Sequence, residues 1–113
     1  MLTFVKRTIT ENIFVYNLYK SLNHLGGSTI GVDVTNKQAH IYSIKIGDLY
    51  QGKQYGSNLM LYIETDMKKL YNIQTINLLA YQQPFDSLEQ FYIKNGYISS
   101  IGNDNNKQQY HDD

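Results

Sequence analysis

The sequence predicts an α/β domain, a mixed and mostly antiparallel sheet flanked by helices. Three observations carry that prediction. Up to Ile46 the chain is a series of strand-forming runs divided by turn residues. From Leu59 to Leu70 the apolar residues recur at helical spacing. Beyond that segment, Ile76–Tyr81 reads as a buried strand, and Asp86 opens a second helical stretch. Runs joined by short turns pair antiparallel, whereas strand–helix–strand implies a parallel crossover.

Taken in order, Leu2 to Thr8 alternates loosely and makes a first strand. Residues 12–22 admit two readings. Phe14, Leu18, Leu22 and Leu25 have helical spacing, and Thr8-Ile9-Thr10-Glu11 fits a capping box. The Ile, Phe, Val and Tyr content favours a strand instead, with Gly26-Gly27 as the turn into Thr29–Val34. Thr35-Asn36-Lys37-Gln38 is a hairpin turn into His40–Ile46. The helix after it places Leu59, Ile63, Met67 and Leu70 on one face, with Glu64 and Lys68 as an i,i+4 pair outside it. Pro84 ends the next strand, and Asp86 with Glu89 forms a capping box for the second helix. Residues 102–113 are polar, with room for a short last strand around Tyr110.

A chain of 113 residues makes a single domain, 1–113, with one core. Apolar residues at 42% against 18% charged separate it from disordered chains. Without cysteine there is no thiol nucleophile, disulfide or thiolate metal site. The zero net charge argues against nucleic-acid binding through a broad basic field. No apolar run approaches the ~20 residues of a membrane helix, and the first residues lack the order of a signal peptide, so a cytoplasmic protein is expected. His24, His40 and His111 have no metal-ligand spacing, and no metal is expected.

Between the strand ending at Ile46 and the helix stands Tyr50-Gln51-Gly52-Lys53-Gln54-Tyr55-Gly56-Ser57. Strand, glycine turn and helix in that order make an anion cradle. Glycines let backbone approach a ligand, and the first helical N–H groups point at it with the positive end of the dipole behind them. No acidic residue lies between Gln51 and Ser57 to repel a phosphate. Glycine spacing alone is equally met by a tight connection that binds nothing.

This stretch resembles the GCN5-related N-acetyltransferase (GNAT) family, in which an aliphatic strand end is followed by Arg/Gln-x-x-Gly-x-Gly/Ala. Ile44 and Ile46 match the strand end, Gln51 the opening residue, Gly52-Lys53 the common Gly-Lys, and Gly56 the last glycine. Gln54 stands where the family has glycine. A second block, Asp86 to Tyr97, resembles the family's helix ending in Phe-Tyr-x-x-x-Gly-Phe, with Tyr97 for Phe and with Phe85 where Asn is often found. The resemblance implies acetyl-CoA as cosubstrate, its pyrophosphate on residues 51–57 (Gln51, Gly52, Lys53, Gln54, Tyr55, Gly56 and Ser57). Its pantetheine arm would pair with the backbone of Ile44, Lys45 and Ile46 in the manner of an added strand. It implies Tyr92 as general acid for the leaving thiolate. The base is left open among Asp33, His40, Tyr42 and Glu64, and water can serve instead.

The implied reaction is acetyl transfer to a primary amine. The family usually has two helices between its first two strands that wall the acceptor site, and this chain has room for at most one. A protein lysine or N-terminal amine is therefore expected ahead of a small-molecule amine. Neither nucleic acid nor membrane is expected as a partner, and a homodimer is compatible with the reading. The rival is a non-catalytic acyl-CoA-binding or protein-interaction module that keeps the fold, supported by Gln54 and Phe85. A small regulatory protein without a CoA site is the third reading.

Overall fold

Alternation of apolar and polar residues decides the first half of the chain. β1 (Leu2–Thr10), β2 (Ile13–Lys20), β3 (Asn23–Asp33) and β4 (Gln38–Ile46) form an antiparallel meander. The helix α1 (Tyr55–Tyr71) then crosses to β5 (Thr75–Ala80), which lies parallel to β4. β6 (Tyr97–Ile101) and β7 (Gln108–Asp112) complete a seven-stranded sheet of order β1-β2-β3-β4-β5-β7-β6. The computed structural model describes residues 1–80, 95–101 and 108–112, with side chains for 1–78, 95 and 96. The helix expected from Asp86, and Phe85 and Tyr92 with it, lie outside the described residues.

One face of the sheet forms the core. Phe14, Tyr16 and Leu18 of β2 sit across from Ile30, Ser28 and Gly26 of β3, and Ile30 and Val32 from Ile41 and Ala39 of β4. Ala39 and Ile41 continue the row to Ile76 and Leu78 of β5. α1 covers this face with Leu59, Met60, Ile63 and Met67, all fully buried. Each such side chain contributes about 1.5–3 kcal/mol by leaving water.

The strand reading of residues 12–22 holds over Ile13–Lys20, so the capping-box motif serves a turn: Thr10 Oγ1 accepts the Asn12 N–H at 3.2 Å. Two readings need correction. Gly26-Gly27 lie inside β3, and the turn before it is Ser21-Leu22, with Ser21 in the left-handed region at φ 54°. Those glycines answer to packing: a Cβ on Gly26 would stand 2.3 Å from the Lys45 carbonyl oxygen. Leu70 is 56% exposed, and Met60 replaces it on the buried face. β7 is the short last strand expected around Tyr110, and it pairs antiparallel with β6. The expected hairpin turn is present one residue earlier, over Val34–Lys37, tied by Asp33 accepting from the Asn36 backbone and side-chain amides at 3.1 and 2.7 Å.

A polar cluster fastens α1 to the meander. Asp66 accepts a hydrogen bond from the Tyr16 hydroxyl and an ion pair from Lys6 Nζ at 3.2 Å. Lys6 also donates to Tyr71 Oη at 2.6 Å and lies 4.4 Å from the Phe14 ring centre. Burial, and then the bond to Asp66, push the Tyr16 hydroxyl far above its ordinary range, so it remains a donor. Phe4 stacks on Tyr62 with ring centres 4.2 Å apart.

This packing yields a direct test of which helical residues face the sheet. Ile63→Ala should cost about 2–5 kcal/mol, whereas Leu70→Ala should change stability by less than about 0.5 kcal/mol. Urea denaturation midpoints of the two variants measure the difference.

Candidate functional site

β4 and β5 pair for only four residues, Gln38–Ile41 against Thr75–Leu78. Beyond them the two strands take different partners. β5 continues through Leu79 and Ala80 against β7, while β4 continues to Ile46 against β3. The register of β3 with β4 slips between Thr29 and Ile30, which leaves Tyr42 as the extra residue at the point of parting. A wedge therefore opens between Tyr42–Ile46 and the end of β5. Within it the β5-facing edge of β4 has no strand beside it among the described residues.

The connection out of β4 closes the far end of the wedge. Gly47 N–H bonds the Leu25 carbonyl at 2.8 Å, and a single 3-10 turn over Asp48–Tyr50 follows. The Gln51 side-chain amide donates back to the Ile46 carbonyl at 3.0 Å, folding the loop onto the strand end. Gly52 has φ 79°, with open space where a Cβ would be, so backbone conformation and not crowding calls for glycine. Gln54 lies at φ 67°, ψ 11°, and directly precedes α1.

At that point three backbone donors are left over. The first intrahelical bond is Asn58 N–H to the Gln54 carbonyl at 3.0 Å, and no side chain caps the helix. The N–H groups of Tyr55, Gly56 and Ser57 consequently have no protein partner among the described residues, and the positive end of a 17-residue helix stands behind them. Lys53 is exposed beside them. Lys20, at the end of β2, comes within 3.4 Å of Tyr55 Oη. No local motif marks Lys20, because the sheet brings it there from 35 residues away.

The expected site residues thus separate into two groups. Ile44, Lys45 and Ile46 line the wedge, and Gln51–Ser57 form the donor-rich turn at its end. Of the candidate bases, Tyr42 stands at the mouth of the wedge, its ring lying across Gly31, where a Cβ would meet it at 2.6 Å. His40 lies one step deeper, its Nδ1 3.5 Å from Asn77 Nδ2. Asp33 sits at the opposite end of the sheet, roughly 27 Å from Ile46 along β4, its carboxyl held below the usual range first by the Asn36 side-chain amide. Glu64 is about 13 Å along α1 from its first residue. Neither of these two belongs to the wedge.

Among the described residues no group of three or more His, Asp or Glu is arranged to hold a metal, and no helix is long and apolar enough to cross a membrane.

No protein-family model matches the sequence, and no curated protein matches it. Solved structures do match the fold. The chain is similar to the PaiA N-acetyltransferase of Thermoplasma acidophilum in complex with coenzyme A, with a TM-score of 0.79 at 21% identity over 89% of this chain and 60% of that one. A Klebsiella pneumoniae protein assigned as an acyl-CoA N-acyltransferase superposes with a TM-score of 0.85 at 12% identity, over 99% and 97%. The ribosomal-protein-S18-alanine N-acetyltransferase of Escherichia coli gives 0.78 at 12%, over 98% and 91%. The chain spans 60% of the length of the PaiA enzyme and nearly all of the Klebsiella protein. The fold is that of the GNAT acetyltransferases, as the two sequence blocks implied.

Gln54 carries the strain of this turn. A non-glycine residue in the left-handed region costs about 1–2 kcal/mol, of which glycine's greater chain entropy returns part. Gln54→Gly should therefore raise stability by up to about 1 kcal/mol, and the β-branched Gln54→Val should lower it. Thermal denaturation of the pair reads both signs.

Proposed function

We propose that this protein is an N-acetyltransferase that transfers the acetyl group of acetyl-CoA to a primary amine. The observation that carries the reading is the conjunction of the open β4 edge with three unpartnered N–H groups at the start of α1. One feature suits an extended amide-bearing arm, and the other suits a pyrophosphate at its end. The absence of acidic side chains from Gln51 to Ser57, with Lys53 and Lys20 nearby, fits the same ligand.

In this reading Ile44, Lys45 and Ile46 hold the pantetheine arm by backbone bonds, and Gln51–Ser57 hold the phosphates. Gln51 contributes its backbone, its side chain being committed to Ile46. Gln54 keeps its side chain clear of the anion, because a left-handed residue before the helix leaves the amides of residues 55–57 foremost. When bound, acetyl-CoA supplies an activated thioester. The chain's own part is to align the acceptor amine with that carbon, keep the amine neutral, and give a proton to the departing sulfur. Tyr92 is assigned the last role from the family resemblance.

The acceptor we assign is an amine on a protein, a lysine or an N-terminus. β1 and β2 are joined directly by Glu11-Asn12, without the two helices that usually wall this side in the family. An open groove gains its positioning energy from a wide contact, which a protein offers and a small amine does not.

Two experiments test the reading. Acetyl-CoA at a hundredfold excess over its dissociation constant should stabilise the fold by about 2.7 kcal/mol. Gly56→Asp should abolish the shift by placing a carboxylate against the pyrophosphate. A melting curve unmoved by acetyl-CoA or CoA rejects the binding site. Radiolabelled acetyl-CoA in lysate should then label protein and leave free polyamines unlabelled. Tyr92→Phe should slow labelling by about 100- to 10,000-fold with CoA binding intact. Binding without any transfer would make the protein a non-catalytic acyl-CoA binder.

A further inference from the structure

β1 is the first strand of the sheet and, among the described residues, pairs on one side only, with β2. Such an edge offers a row of unpaired N–H and C=O groups, which proteins blunt with proline, a bulge, a short strand or a free inward charge. β1 uses one of these devices. Its register shift between Thr8 and Thr10 ends the regular part, leaving Leu2–Thr8 as an even, extended edge. There is no proline in it. Its inward cation, Lys6, is already bound by Asp66 and Tyr71. On the helix side of this edge Leu2, Phe4, Leu61 and Tyr62 line a shallow apolar groove of about 360 Å³. Leu61 is 63% exposed there, and Val5 is 45% exposed on the other side of the strand.

The geometry points to a second copy of this chain as the occupant, paired β1 to β1 antiparallel about a two-fold axis at Val5. The regular edge has its midpoint at Val5, so an axis there uses all of it. Val5 then faces Val5 of the other copy, Phe4 faces Lys6, Thr3 faces Arg7, and Leu2 faces Thr8. No like charges are opposed, and each side of the ribbon keeps its character. Moving the axis to residue 6 or 7 sets Lys6 or Arg7 against itself. The interface is isologous, as a two-fold requires, and brings the two apolar grooves together on one face. The chain's zero net charge leaves no long-range repulsion between copies.

The absence of cysteine makes the register readable. Directly opposed residues have Cα atoms about 4.5–5.5 Å apart, within reach of a disulfide. Arg7 would be roughly 14 Å from its counterpart, four residues further along the strand. Under mild oxidation Val5→Cys should become a covalent dimer and Arg7→Cys should not. Wild-type protein should sediment as a dimer, and Val5→Lys, which opposes two cations, as a monomer with an unchanged circular dichroism spectrum. A monomeric wild type up to its solubility limit overturns the proposal and leaves the edge to a strand of another protein. So does a dimer that survives Val5→Lys, or equal cross-linking through Arg7→Cys. If Val5→Lys fails to fold, the cysteine pair and the wild-type mass decide the matter.

Discussion

Parallel strands cannot be joined by a tight turn, and this constraint on β4 and β5 organises the rest of the molecule. The chain has to leave the end of β4, climb over the sheet and return to the start of β5. A helix is the economical way to do so, and its first turn falls beside the end of the strand it has just left. The unsatisfied donors of that turn are thereby delivered to the place where β4 and β5 part. Neither the wedge nor the donor cluster needed a residue of its own to build it. The residues supply only what the connection cannot: glycine at 52, a tolerated left-handed conformation at 54, and a glutamine that folds the loop back on Ile46.

The same crossover explains where the polar interior lies. α1 reaches past the apolar row to the outer strands, where Asp66 meets Lys6 and Tyr16. A half-buried ion pair of this sort contributes little by itself. Here it is supplemented by the Tyr71 hydroxyl and the Phe14 ring, which satisfy the lysine from two more sides. The cluster sets the position of the helix along β1 and β2, and so fixes how its first turn is aimed.

Much of this was legible in the residues. Strand propensity over Ile13–Lys20, the turn residues Thr35-Asn36-Lys37 and the Leu59-Ile63-Met67 row are local signals, and each points to the structure observed. The turn at Ser21-Leu22 was not legible, because neither residue is a usual choice for positive φ. The glycine pair nearby looked like the turn and instead makes room for the Lys45 carbonyl and the Asn17 side chain. Leu70 was misplaced because helical spacing cannot tell the last turn of a face from the point where the helix passes the sheet. At the site, the glycine pattern located the donor turn, but Lys20 and the Tyr42 bulge are products of strand pairing over long separations. The cost at Gln54 was readable only as a departure from a motif, and its backbone angle supplies the reason.

The short turns of the meander also bear on how the chain reaches its fold. β1 to β4 are joined by connections of two and four residues, so each pairing closes with little loss of loop entropy. Gln38, by contrast, meets Thr75 only after a helix and two connections have been ordered. Local contacts form early and distant ones wait. On that logic the meander assembles as a unit, and the parallel strand docks late, guided by α1. The wedge between β4 and β5 is then among the last features to exist. A newly made chain would lack the proposed site until nearly all of its structure was in place.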